Sequence, residues 1–380
     1  MRLYEHEAKK LFRNYGIPVP EGKVAFSCPE AVEAAMAVGL PVTVKAQVLV
    51  GGRGKAGGIQ FARSLEEVEK ISSEILDADI KGHKAQGVLI EKKLNIEKEF
   101  YLGATIDGSA GKPVVIVSSE GGGDIEEMTR THPQKIFSIQ VDVFKGLRSY
   151  EARDLVKKLG LNGEKLLKVS NILYSLGNLS KDYDALIAEI NPLVQTQEGV
   201  LFAADAVLEV DDSSLFRHPE LQLKAMERIR DELEREAKKL GVTYVNLDGD
   251  IGLICSGAGL GMATMDMIRK EAESANFLET GGGMTKELMA GALRIVLKKE
   301  NIRAVFINVY GGINPIDQGA EGIVKVIKED EIKIPIVAKA LGNCQEETWD
   351  ILDKGGVKVV KESRTSKAVE RLFKLLKGPE

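Results

Sequence analysis

Gly51-Gly52-Arg53-Gly54-Lys55-Ala56-Gly57-Gly58 sets two cations among five glycines. Glycine lets a backbone approach an anion closely and the cations neutralise it, so the segment reads as a phosphate-cradling loop. It is not of the Walker type, which needs a hydroxyl after the lysine and a helix to follow; Ala56 and a strand-like run stand there instead. A plain hairpin tip would account for the glycines but not for Arg53 and Lys55 together. Lys45 lies just upstream in the apolar run PVTVKAQV. An unpaired cation buried in such a strand is costly, and a bound phosphate is the expected partner.

A second constellation is Glu189, Asn191 and Asp205, spaced as oxygen donors on two adjacent strands among the apolar neighbours Ile187, Ala203 and Ala204. Carboxylate and amide oxygens without histidine or thiol suit magnesium, which also takes phosphate oxygens. The rival is a satisfied turn network around Asn191-Pro192. Further along, ICSGAGLGMATMD puts Gly257, Gly259 and Gly261 at a strand-to-helix turn, where free amides and the helix dipole favour a phosphate. A dinucleotide fingerprint needs its third glycine five residues after the first, and Met262 stands there; Glu279, near the distance of a ribose-binding acid, keeps a nicotinamide cofactor open. Thr280-Gly281-Gly282-Gly283 and Gly311-Gly312-Ile313-Asn314 also follow strands and precede helices, at the edge where open α/β sheets bind ligands. The four histidines lie in none of these turns.

The elements that must position these residues fall into two patterns. Up to residue 235, helices and strands mix: Ser27 to Glu30 and Ser64 to Glu67 have the spacing of helix-capping boxes. Strand-like runs cover PVTVKAQV, Gly58 to Ala62, VLIEKKL, EKEFYLGATID and KPVVIVSSE, helices are expected near 149 to 180, and DALIAEINPLV pairs with VLFAADAVLEV. ELQLKAMERIRDELEREAKKLG reads as one charged helix carrying the linker. From 236 to 380 five strands (IGLICS, ANFLE, AVFINVY, IPIVAKA, VKVV) alternate with helices, which predicts a doubly wound parallel sheet. An α/β protein of two domains, 1–235 and 236–380, follows. At 380 residues and 44% hydrophobic the chain can bury both cores, and 29% charged residues suit a globular protein.

A net charge of -5 argues against nucleic-acid or anionic-membrane partners. No apolar run approaches the roughly 20 residues that span a bilayer, and MRLYEHEAKKLF carries acids where a signal peptide needs a basic region, so a cytoplasmic protein or a processed matrix form is expected. Three cysteines far apart frame neither disulfides nor a zinc site.

Taken in order, LYEHEAKKLFRNYGIPVP, VKAQVLVGGRGKAGG, EKEFYLGATID, AEINPLV, GAGLGMATMD, ANFLETGGG and NVYGGI resemble the β subunits of the succinyl-CoA synthetase family along nearly the whole chain. The resemblance implies an ATP-grasp domain followed by a flavodoxin-like CoA-ligase domain, and an ADP-forming acid–thiol ligase of the tricarboxylic acid cycle. It implies one magnesium ion per β subunit, with ATP or ADP and CoA as substrates, and an α subunit that carries the phosphohistidine and the CoA site. Carried over by position, Lys45, Gly52, Arg53, Gly54, Glu91, Leu94 and Glu99 match nucleotide-binding positions, and Asn191 and Asp205 match metal ligands. Glu189 matches a catalytic glutamate beside the phosphohistidine, and Ser256, Gly312, Ile313 and Asn314 match substrate positions. Pro20 resembles the adenine-using form. Ser256 stands where the family carries asparagine, Asn314-Pro315 replaces Val-Arg, Leu94 replaces threonine and Glu279-Thr280 replaces Asp-Val, so malate, citrate or another short acid stays open beside succinate. Rivals are a self-contained ATP-grasp ligase joining carboxylate to amine, a nicotinamide-dependent dehydrogenase, and a non-catalytic adenylate sensor.

Overall fold

The computed structural model describes residues 1–123, 125–221, 225–229 and 231–377. It divides into two compact units, Met1–Leu223 and Lys224–Glu380. The sequence reading sets the boundary at 235/236, and the two compact units divide at 223/224, within the charged stretch.

In the first unit helix α1 (Glu5–Asn14) is followed by strand β1 (Gly22–Ala25), α2 (Cys28–Val38), β2 (Val42–Ala46), β3 (Ile59–Ala62), α3 (Leu65–Asp77) and β4 (Val88–Lys92). These strands form a four-stranded sheet in the order β1-β4-β2-β3, antiparallel throughout. The apolar faces of α2 and α3 close one side of it around Ala35, Val42, Val44, Val68, Ile75 and Ile90. Both capping serines act as expected: Ser27 Oγ accepts from Glu30 N and Ser64 Oγ from Glu67 N. The return arm of each box reaches one residue further back, to Phe26 N and Arg63 N.

A second sheet follows from β5 (Ile96–Asp107), β6 (Lys112–Ser118), β7 (Ile136–Gln140), β8 (Ala185–Thr196), β9 (Leu201–Ala203) and β10 (Val207–Val210), in the order β10-β8-β5-β6-β7 with β9 paired on β8. A short helix α4 (Ile125–Thr131) precedes β7, and α5 (Ser149–Lys157) and α6 (Gly163–Asp182) bury Leu155, Leu173 and Leu176 against this sheet, sharing their core with Phe12 of α1. The expected hairpin is present with one modification: β8 pairs with two short strands, the chain leaving the ladder between Ala203 and Val207. That break is where Asp205 lies.

The second unit holds α7 (Ala225–Arg228), α8 (Glu232–Leu240), β11 (Thr243–Asn246), β12 (Ile251–Cys255), α9 (Ala258–Ile268), β13 (Asn276–Glu279), α10 (Lys286–Leu297), β14 (Ala304–Gly311), α11 (Asp317–Glu329), β15 (Ile336–Gly342), α12 (Gln345–Lys354), β16 (Lys358–Val359) and α13 (Thr365–Leu376). Asp231 accepts from Leu233 N and Glu234 N, restarting a helix where the sequence suggested a single one. The sheet order is β11-β13-β12-β14-β15-β16, parallel from β13 to β16, with the unforeseen β11 antiparallel at the edge. One core lies under α8, α10, α11 and α12 and another under α9 and α13, which is the double winding. The connection after β12 runs to β13 on one side and the connection after its neighbour β14 runs to β15 on the other, so the switch point of strand order lies between the carboxyl ends of β12 and β14.

Candidate functional site

Six charged side chains of the first unit meet in one network, five of them buried and Asp205 half-buried. Lys45, on the entirely buried strand β2, pairs with Glu5 Oε1 at 3.0 Å and Glu91 Oε2 at 2.7 Å, and its Nζ also donates to Ala204 O. The expectation of an unpartnered lysine is therefore corrected: its counter-charges come from α1 and β4. Lys9 reaches Glu5 and Glu91, each at 2.7 Å, and Ala204 O at 2.8 Å. Arg53 pairs with Glu5 Oε2 and, at 2.8 Å, with Asp205 Oδ1, and gives a further bond to Ala46 O at 2.8 Å. Exposures of 1% for Lys9 and Glu91, 3% for Glu5, 6% for Arg53 and 7% for Lys45 show that these charges rely on one another rather than on water. Three acids face three bases, so the network is electrically balanced.

Burial works to raise the pKa of Glu5, but the charges of Arg53, Lys45 and Lys9 outweigh it and hold this carboxyl well below its usual range. Burial pulls Lys45 and Arg53 down, and the surrounding carboxylates overcome it and push both up. For Lys9 burial wins over its two carboxylates, and its pKa is lowered.

The rest of the glycine loop is exposed around a buried Arg53 and Gly58. Gly52 has φ of 68°, and a Cβ there would stand 2.7 Å from Lys81 Nζ, which itself donates to Gly51 O at 2.9 Å. Lys81 thus adds a third cation beside Arg53 and the exposed Lys55.

Beyond Glu91 the chain runs along a cavity of about 820 Å³ lined by Pro20, Lys92, Lys93, Leu94, Asn95 and Phe202, among others. The Glu91 carboxylate is committed to Lys9 and Lys45, while Leu94 does face the cavity.

The oxygen donors sit in one hairpin. The ladder pairs Leu193 with Ala203 and Glu189 with Val207, which brings Asn191 and Asp205 to the same level, with Glu189 two residues away on the same face of β8. Asn191 Oδ1 accepts from Gly122 N at 2.8 Å and its Nδ2 donates to Gly123 O at 2.9 Å, so a glycine loop after β6 lies against it. Asp205 Oδ1 takes Arg53 and the amide of Ala206. Its Oδ2 accepts nothing among the described residues, so the donor set is hard oxygen with one carboxylate oxygen to spare, and it fits a magnesium ion. Glu99 is half-buried beneath the same loop, its Oε2 2.6 Å from where a Cβ on Gly122 would be, and burial raises its pKa. Buried Tyr101 is pushed up by burial and by the neighbouring charge of Glu189.

In the second unit the carboxyl edge gathers the other candidates. Gly257, with φ of 96°, caps α9. The Glu279 carboxylate accepts from Gly257 N at 2.9 Å and Gly281 N at 2.6 Å, so the acid considered for a ribose already occupies amides of two glycine turns. Ser256 Oγ accepts from Tyr310 N at 2.8 Å, tying the ends of β12 and β14. Asn314 Nδ2 donates to Gly282 O, joining the third turn to the second, and Ile313 is 89% exposed. Ser256, Gly312, Ile313 and Asn314 thus share one edge at the switch point.

Glu5, Lys9, Lys81 and the loop at Gly121 to Gly123 are absent from the sequence-based candidates. A signal for two of them existed: Glu5 and Lys9 are spaced i, i+4 on the same helix face as Ala8 and Phe12, where solvated charges are not expected.

Against known proteins, residues 2–195 match the ATP-grasp domain family and residues 254–373 the CoA-ligase family. The β subunit of the ADP-forming succinate–CoA ligase of Aquifex aeolicus is 44% identical over 95% of both chains. That of Ignicoccus hospitalis is 43% identical over 94% of this chain and 95% of its own. Among solved structures, ATP citrate lyase from Methanothrix soehngenii in complex with citrate and coenzyme A superposes with a TM-score of 0.74 at 19% identity, over 98% of this chain and 99% of that one, a likeness of fold.

Proposed function

Since the chain belongs to the succinate–CoA ligase β-subunit family, an ATP-grasp domain followed by a CoA-ligase domain, we propose that it binds Mg-ATP in its first unit and phosphorylates a histidine of a separate α subunit. The observation that carries this reading is the convergence of Lys45, Arg53 and Asp205 in one network whose Glu91 stands next in the chain to the cavity-lining Lys92. The cavity takes the nucleoside, with Pro20 in its wall favouring adenine, a choice supported by the ADP-forming relatives. Lys45, Arg53 and the amides of Gly52 and Gly54 take the phosphates, and Glu99 lies at the loop beside Asn191.

Asn191 and Asp205 would hold the magnesium ion, which supplies charge neutralisation to the phosphates when bound. Phosphoryl transfer needs chiefly positioning and charge compensation, and the fixed cations provide both. Glu189, two residues from Asn191, is the residue assigned to the incoming imidazole: an anionic carboxylate there orients the ring and stabilises the positive charge that grows on it as the phosphorus–nitrogen bond forms. The phosphoryl group then passes to the carboxylate of a short acid, succinate first among candidates, and the thiol of CoA held by the α subunit displaces phosphate. Ser256, Gly312, Ile313 and Asn314 at the carboxyl edge of the second sheet form the acid side of that exchange.

Incubating the complex of this chain and its α partner with Mg-ATP, CoA and, in turn, succinate, malate and citrate tests the reading. Succinyl-CoA formed well ahead of other thioesters supports it. Preferred turnover of malate or citrate reassigns the acid, and ATP consumption by the chain alone with an amine acceptor replaces the reading by the amine-ligase rival.

A further inference from the structure

Lys45 lies on β2 and Arg53 in the loop that follows it, yet one carboxylate outside the ATP-contacting segments fixes both. Glu5 is the first residue of α1, and its oxygens divide the work: Oε1 meets Lys9 at 2.7 Å and Lys45 at 3.0 Å, and Oε2 meets Arg53. Glu91 pairs with Lys9 and Lys45, and Asp205 with Arg53. Among the described residues Glu5 is thus the acid that joins the ammonium pair to the guanidinium. Its own base is rigid. Leu3 N bonds Leu208 O at 2.9 Å, and Ala8 and Phe12 are fully buried, so α1 is clamped to the core of the second sheet.

We propose that Glu5 is a positioning residue for phosphoryl transfer, setting the Lys45 ammonium and the Arg53 guanidinium in fixed relation so that both meet the nucleotide phosphates together. This rests on the reading of the site as the Mg-ATP site. A charge-compensating role alone makes a different claim. Removing a negative charge next to two phosphate-binding cations does not weaken attraction for an anion, whereas releasing their geometry slows the chemical step; displacement of reacting partners by about 1 Å costs on the order of 100-fold.

The experiment uses the chain in complex with its α partner and compares wild type, Glu5→Gln and the charge-balanced double variant Glu5→Gln/Lys9→Met, which leaves Lys45 and Arg53 facing Glu91 and Asp205. Equilibrium binding of Mg-ATP, thermal midpoint and the single-turnover rate of partner phosphorylation are measured for each. Expected for Glu5→Gln are Mg-ATP binding unchanged or tighter and a phosphorylation rate lower by about 10- to 100-fold. The double variant is expected to regain the thermal midpoint without regaining the rate. Recovery of the rate in the double variant, or undiminished labelling in Glu5→Gln, overturns the inference alone and leaves Glu5 a structural counter-ion. Should Glu5→Gln fail to fold, the rate in the double variant decides by the same criterion. Absence of labelling by the wild-type complex overturns the functional reading and this inference with it.

Discussion

Replacing Glu91 by Gln keeps the shape of the side chain and removes one charge, leaving Lys9 and Lys45 to share Glu5. Both Glu91 oxygens are engaged, and its residue exposure is 1%. Breaking a buried ion pair by removing one partner costs about 3–5 kcal/mol, because the other charge stays buried. For a unit of the size of Met1–Leu223 that lowers the midpoint of thermal unfolding by roughly 6–20 °C. Replacing the pair together, as Lys9→Met/Glu91→Leu, leaves Lys45 and Arg53 opposite Glu5 and Asp205, and buried pairs exchanged for apolar groups are often neutral in stability. The double variant should therefore unfold several degrees above the single one. Scanning calorimetry of the three proteins settles it. A midpoint for Glu91→Gln within about 2 °C of wild type, or a double variant no more stable than the single, would mean that Glu91 and Lys9 do not depend on each other for their burial.

Arg53→Ala removes the guanidinium that spans Glu5 and Asp205, and the rate of partner phosphorylation is expected to fall by about 10²–10³-fold, as on loss of a preorganised transition-state donor; quench-flow labelling measures it. The depressed pKa of Glu5 stabilises the fold above the ordinary carboxyl value of 4.5 and that contribution is lost as pH falls through the lower folded value. The difference in thermal midpoint between wild type and Glu5→Gln should accordingly be full near neutrality and shrink on acidification below that value, whereas a pH-independent difference contradicts the assignment. Burial pushes the Cys255 thiol up to about 12, so alkylation at neutral pH followed by mass spectrometry should leave Cys255 unmodified until the chain is unfolded.

Periodicity sufficed for the second unit, where all five strand runs fall on β12 to β16, because parallel strands buried on both faces are continuous apolar runs bounded by helices. It missed β11, whose residues Thr243 to Asn246 are mostly exposed and carry no such run. The helix break at Asp231 was legible only as a capping residue inside a charged stretch, and pattern alone overrode it. Glycine-rich turns and oxygen donors announced themselves by residue type. The counter-ions of Lys45 did not, because Glu5 and Glu91 lie 40 residues before and 46 after it and meet it only through folding. A sequence reading places a buried charge but not the carboxylates that balance it, and at Lys45 those are Glu5 and Glu91.

In the proposed reaction this chain passes the γ-phosphoryl group of ATP to a histidine of its partner under the influence of Glu189. The most direct test purifies the complex, supplies γ-labelled Mg-ATP, and follows acid-labile, base-stable label on each subunit for wild type and Glu189→Ala. Label is expected on the partner's histidine, discharged by acid substrate plus CoA and strongly reduced in the variant. Label that is as abundant in Glu189→Ala as in wild type, or a partner that stays unlabelled while ATP is consumed, would contradict it.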